Sequence, residues 1–328
     1  MKRREFIAAL GGAAAWPMVG HAQQPEQMRR IGVLVASGED ESDIQARLAG
    51  FRQGIEKLGW SQGRNVRIDT RFAAGRADQY QVLAKELVAL QPDVILAQSP
   101  SITAALQRES RAIPIVFVSV SDPIGAGFVA SLARPGGNIT GMMQYEAGIT
   151  GKWLAMLKEI SPRLARVALL GNAKTTAYDY FLGAAEVAVP PLAIEPESSR
   201  VETAADIERA IGAFARAPNG GLLLLPDSTV TSNRDLIIAL AAHHRLPAVY
   251  PFRFFVAAGG LMSYGTDQVE LLRQAASYVD RILRGTNPAD LPVQAPTKYE
   301  TTLNLKTAKA LDLDVPTSLL ARADEVIE

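Results

Sequence analysis

Two aspartates and a scatter of serines, each following an apolar run, are the residues of this chain best placed to do chemistry. Asp122 follows Ile115-Val-Phe-Val118 through Ser119-Val-Ser121, and Asp227 follows Leu222-Leu-Leu-Leu225 through Pro226. A carboxylate there can accept hydrogen bonds from an ammonium group; the alternative is a cap or turn role, for Asp122 ahead of Pro123. Ser99 and Ser101, in Gln98-Ser-Pro-Ser101, stand where a helix begins. Their hydroxyls and backbone N–H groups could hold a carboxylate or another anion, or simply cap the helix. Catalysis has thinner support. The chain has no cysteine and three histidines, of which His21 falls in a cleavable leader. The neighbours His243 and His244 point about 100° apart on a helix and cannot make the i, i+4 pair that grips zinc. No metal and no cofactor are expected. Gly125-Ala-Gly-Phe-Val-Ala130 matches a loose dinucleotide pattern, but Pro135-Gly136-Gly137 interrupts the unit the true fingerprint requires. A hydrolase using Asp122 and Asp227 as paired carboxylates stays open on these residues alone.

The elements that position these residues are written twice. The apolar runs at 31–35, 94–97 and 115–118, ending at Gly136-Gly-Asn-Ile-Thr-Gly141, are matched by runs at 167–170, 222–225 and 248–250, ending at Gly259-Gly-Leu-Met-Ser-Tyr264. Each run alternates with a stretch of helical periodicity, such as Leu48, Phe51, Ile55 and Leu58, which Gly59 closes. Near-continuous apolar strands between helices belong to parallel sheets covered on both faces. The expected fold class is therefore α/β, with two Rossmann-like lobes joined by a multi-stranded hinge. We expect one lobe from residues 29–143 plus about 264–288, and the other from about 144–263 plus 289–328. Ligands of such sheets bind beyond the carboxyl ends of the strands, in the cleft between lobes. That rule selects Ser37, Ser99, Ser101, Ser121 and Asp122 in the first copy. In the second it selects Asn172, Tyr178, Asp227, Ser228 and Tyr264, the tyrosines as covers for an apolar ligand face. Trp60 and Trp153 read as core.

Composition bounds the partners. The chain has 328 residues, 48% hydrophobic and 21% charged, with 34 basic against 34 acidic side chains. A net charge of zero offers no nucleic-acid footprint. Residues 1–22 read as an export signal: Lys2-Arg3-Arg4, an apolar stretch to Val19, and Gly20-His21-Ala22 as a cleavage site. The Arg3-Arg4 pair resembles a twin-arginine signal, with the general secretory route as the alternative. The apolar stretch is too short and too interrupted to stay in a bilayer, and without cysteine there is no lipid attachment point. A soluble, monomeric, periplasmic protein is expected.

Several segments together resemble the ABC-transporter substrate-binding proteins of the tryptophan-uptake type. They are Ile115-Val-Phe-Val with Asp122-Pro123, Leu132-Ala-Arg-Pro-Gly-Gly-Asn-Ile-Thr-Gly141, Gly259-Gly-Leu-Met-Ser-Tyr-Gly265, Tyr278-Val-Asp-Arg-Ile-Leu283 and Asn304-Leu-Lys-Thr-Ala-Lys-Ala-Leu311. The resemblance spans the mature chain in order. It implies a type I periplasmic-binding fold that closes on a small molecule, an amino acid or other small carboxylate with aromatic ones included. It also implies delivery to an ABC permease with its ATPase; presentation of the closed form to a sensory partner is the alternative reading. Met142-Met143 and Gly148-Ile149 stand where the family commonly has a serine and an acidic residue. Met143 thereby suggests a more apolar solute.

Overall fold

The alternating apolar runs become strands, and the strand order shows the duplication directly. The computed structural model describes residues 28–328, so the expected leader lies outside the described residues. The first lobe runs β1 (Arg29–Val35), α1 (Ser42–Lys57), β2 (Val66–Phe72), α2 (Gln79–Ala89), β3 (Val94–Gln98), α3 (Pro100–Glu109), β4 (Ile115–Val120) and β5 (Ile139–Met143). Its strands lie all parallel in the order β2-β1-β3-β4-β5. Because side chains of a strand alternate between faces, Ile31, Val33 and Val35 of β1 enter one apolar layer while Leu34 enters the other.

The second lobe runs α4 (Ile149–Ile160), β6 (Arg166–Gly171), α5 (Tyr178–Ala188), β7 (Glu195–Arg200), α6 (Ala204–Phe214), β8 (Gly220–Leu224), α7 (Ser228–Ser232), α8 (Arg234–His243), β9 (Ala248–Tyr250), α9 (Arg253–Ala257) and β10 (Met262–Gly265). The parallel order β7-β6-β8-β9-β10 repeats that of the first sheet, strand for strand. The chain then returns to the first lobe as α10 (Gln268–Leu283). It goes back to the second for β11 (Glu300–Asn304), α11 (Leu305–Ala310), α12 (Thr317–Leu320) and β12 (Glu325–Ile327). There β11 pairs antiparallel with β10, and β12 parallel with β11.

Three crossings, at residues 144–148, 266–267 and 295–299, therefore join the lobes. The last comes later than the sequence suggests. Leu291 and Val293 are buried among first-lobe residues, and Gln294 bridges Met142. The helix α10 packs closely on α1 because Gly50 and Gly54 leave room. A Cβ at Gly50 would lie 2.8 Å from Val269 Cγ1, and one at Gly54 2.7 Å from Ala276 Cβ. The two edge strands of the second sheet carry little apolar signal. A 3₁₀ turn at Pro190–Leu192 leads into β7, Glu-Pro-Glu-Ser-Ser-Arg, an edge strand without apolar alternation. β12 is the opposite edge. A proline is tolerated in β7 because an edge strand leaves one row of N–H groups unpaired.

Candidate functional site

The carboxyl ends of β1, β3 and β4 face those of β6, β8 and β9, and the lobes meet there. Ser101 Oγ donates to the Lys174 carbonyl at 3.5 Å, Arg234 pairs with Asp43 at 3.2 Å, and the Tyr80 hydroxyl lies against Ser228. The Arg47 guanidinium sits 5.9 Å and 5.8 Å from the ring centres of Phe252 and Phe254. In every pair one partner belongs to each lobe, so this is a closed arrangement.

Between the lobes lie an inner cavity of about 50 Å³ and an outer mouth of about 550 Å³, which share Pro100 and Thr175 in their walls. Ser37, Gln98, Ser99 and Ser119 line the inner cavity from the first lobe, and Asp227, Ser228 and Phe252 from the second. By the volume one water needs, the inner cavity admits a head group of a few heavy atoms. The mouth, with Ser101, Arg108, Asp122, Lys174 and Tyr180 among its walls, admits a larger body.

Two residues of the inner cavity hold positive φ. Ser99 has φ 115° and ψ 159°, a region populated almost only by glycine, and Ser119 has φ 61°. Ser99 stays there as the N-cap of α3, its Oγ accepting from the Ile102 N–H at 3.3 Å. Ser119 Oγ donates to Gln268 Oε1 at 3.3 Å; Gln268 also accepts from Gln144 and donates to Thr266. That network ties the floor of the cavity to two of the three crossings.

Asp227 is the most perturbed carboxylate. It is buried as the N-cap of α7: Oδ1 accepts from the Val230 N–H and Oδ2 from the Asn172 N–H, both at 2.8 Å. Burial pushes its pKa up to about 7, against backbone N–H donors that favour the ionised form. Asp122, half-buried at the mouth, spends Oδ1 on the Gly125 N–H at 2.8 Å. The two carboxylates occupy different chambers and do not form a facing pair.

The expected site residues divide in three. Ser37, Ser99, Asp227 and Ser228 surround the inner cavity, and Ser101, Asp122 and Tyr178 border the mouth. Ser121, Asn172 and Tyr264 border neither chamber. Asn172 is consumed in building its loop, donating to Thr229 Oγ1 and accepting from the Lys174 N–H. The Tyr178 hydroxyl turns into the lobe, donating to the Leu169 carbonyl at 2.6 Å and accepting from the Ser199 N–H at 2.8 Å. Tyr264 stacks on Tyr299, behind the hinge. Met143 is buried in the first lobe's core away from the cavity, so its apolar chain says nothing about the solute.

Gln98 and Ser119 line the cavity from loops the strand-end rule selects, whereas Arg47, Phe252, Thr175 and Gln144 were missed. Arg47 carried a readable signal. It occupies a core-spaced position of α1, between Ile44 and Leu48, where a charge is anomalous.

Comparisons with known proteins agree with this architecture. The family model described as "ABC transporter substrate binding protein" matches residues 30–327. A tyrosine-binding protein of Clostridioides difficile is 26% identical over 265 residues, 80% of this chain and 76% of the relative. A conserved domain protein from Vibrio cholerae superposes with a TM-score of 0.86 at 26% identity, over 92% of this chain and 100% of the other. The ABC domain from Streptococcus pneumoniae in complex with L-Trp has the same fold, with a TM-score of 0.86 at 22% identity and the same coverage. A ligand-free, open substrate binding protein from Clostridium difficile, also 22% identical and covering 92% of this chain and 99% of its own, gives 0.68. This chain, with two duplicated α/β lobes closed over a small polar cavity, belongs to the ABC transporter substrate binding protein family.

Proposed function

We propose that the protein is exported, captures an amino acid or other small carboxylate, aromatic ones included, between its lobes, and delivers it to an ABC permease with its ATPase. The observation that carries this reading is the inner cavity, small, lined by serines, Gln98 and Asp227 and walled by both lobes, so that a bound head group touches both at once. A ligand that contacts both walls binds the closed form better than the open one, and that difference drives closure. The cavity's size suits a carboxylate or amino-acid head, with Ser99 and the N-terminal backbone of α3 on one side and Asp227 and Ser228 on the other. The mouth then receives the side chain. The tyrosine and tryptophan of the relatives' names make aromatic amino acids the first probes. In this reading export follows from the leader at residues 1–22, and the protein works as a monomer.

A thermal-shift screen of the mature chain against amino acids, aromatic acids and small carboxylates tests the reading. A true ligand at a hundredfold excess over its Kd stabilises by about 2.7 kcal/mol. A flat response to all three classes would remove the carboxylate assignment.

A further inference from the structure

Arg47 is the one charged side chain of the inner cavity that no described residue satisfies. It is 7% exposed, lines the inner cavity beside Asp227 and Phe252, and makes neither an ion pair nor a hydrogen bond among the described residues. The acids nearest along its own chain are committed elsewhere. Asp43 pairs with Arg234, and Glu41 Oε1 accepts from the Gly38 N–H at 2.7 Å. Across the cavity, both Asp227 oxygens are held by backbone N–H groups. Burial lowers the pKa of Arg47, and the charges of Asp43 and Glu41, neither in contact with the guanidinium, act only against that loss of water. The faces of Phe252 and Phe254, contributed by the opposite lobe, lie against it, and Asp43, Asp267 and Glu300 share with it the walls of a neighbouring cavity without pairing with it.

This lone cation is buried by elements of both lobes: α1 carries it, and the loop after β9 with α9 covers it. Separation of the lobes returns it to water, and closure strips that water away. An uncompensated buried charge is costly unless an opposite charge arrives with it. We infer that Arg47 is the anion anchor of the site and makes closure conditional on an anionic ligand, whose carboxylate supplies the counter-ion missing from the closed form. The inference rests on the reading above and adds a residue and a rule of selection. A neutral or cationic analogue of the same shape leaves Arg47 unpaired and cannot hold the lobes shut.

The simplest competing role for Arg47 is a latch, in which stacking on Phe252 and Phe254 favours closure without any ligand. The two roles predict opposite results for Arg47→Met, which keeps an unbranched apolar stem and removes the charge. Because the chain contains no cysteine, Lys85→Cys and Glu186→Cys, at exposed positions of α2 and α5, give one spin-label pair across the lobes. Without ligand, Arg47→Met should raise the closed population by about tenfold over the parent, while Arg47→Lys stays open. L-tyrosine should close the parent and L-tyrosinamide should not, and Arg47→Met should lose that discrimination. An Arg47→Met protein as open as the parent, or more open, overturns the inference and favours the latch. So does an Arg47→Lys protein that closes as far as Arg47→Met. If neither probe closes the parent, the amino-acid ligand class fails, while the ligand-free comparison still decides the role of Arg47.

Discussion

Asp227→Ala is expected to destabilise the protein by about 2–5 kcal/mol at pH 5, through the loss of an N-cap and the orphaning of buried N–H groups. Val230 and Asn172 both donate to this carboxylate, so one substitution frees the start of α7 and the loop after β6 together. These are two of the second lobe's contributions to the cleft, and binding should fall with stability. The effect should depend on pH in a defined direction. In the unfolded chain the carboxyl ionises near its ordinary value of 3.8, whereas in the folded protein burial raises it to about 7. Below pH 4 both states carry the proton and the group's contribution is complete. Between pH 4 and 7 the folded state keeps a proton that the unfolded chain has released, so the contribution drains away as pH rises. The difference in urea midpoint between Asp227→Ala and the parent should therefore be larger at pH 5 than at pH 8. A difference that grows with pH would mean that Asp227 is held ionised by its N–H donors.

Gly265→Ala should cost at least about 3 kcal/mol and block closure, because overpacking here falls on the hinge. Gly265 ends β10, one residue before the chain crosses to α10. A Cβ there would press into the Pro251 carbonyl and meet the Tyr145 hydroxyl, which itself donates to that carbonyl. Tyr145 lies at the first crossing, and its ring packs edge-on against Trp153, whose Nε1 donates to the Tyr264 carbonyl at 2.7 Å. Two crossings are thus keyed to each other through one glycine, and relief requires them to separate. Gly212→Ala is the control. A Cβ there meets nothing within 4 Å in α6, and an alanine in a helix interior gains up to about 1 kcal/mol over glycine. Equal thermal stability of the two variants would contradict this account of the hinge.

How far the sequence could be read follows from how each residue's environment writes itself into the chain. Central strands such as Val94–Gln98 and Gly220–Leu224 are buried on both faces, so they are nearly all apolar and announce themselves. The edge strand Glu195–Arg200 is half wet and carries a proline, and it reads as loop. For the site, the rule of strand carboxyl ends led to Ser37, Ser99, Asp227 and Ser228, because the cavity lies where the topology puts it. It also selects Asn172 and Tyr178, which brace their own lobe, since position in a loop does not reveal where a side chain spends its hydrogen bonds. Arg47 was out of reach of that rule because it sits on a helix. Its signature is a charge inside an apolar stripe. The duplicated loops diverge most where function differs, with Ser119 to Asp122 in one lobe and Pro251-Phe252 in the other.

On the proposed function the lobes close on a small ligand bound between them. Small-angle scattering of the mature protein, with and without saturating L-tyrosine, tests this closure. The radius of gyration should fall on adding the amino acid, to the value calculated for the closed arrangement described above, with the amino acid recovered unchanged. Identical curves at a concentration where dialysis demonstrates stoichiometric binding, or consumption of the amino acid, would contradict it.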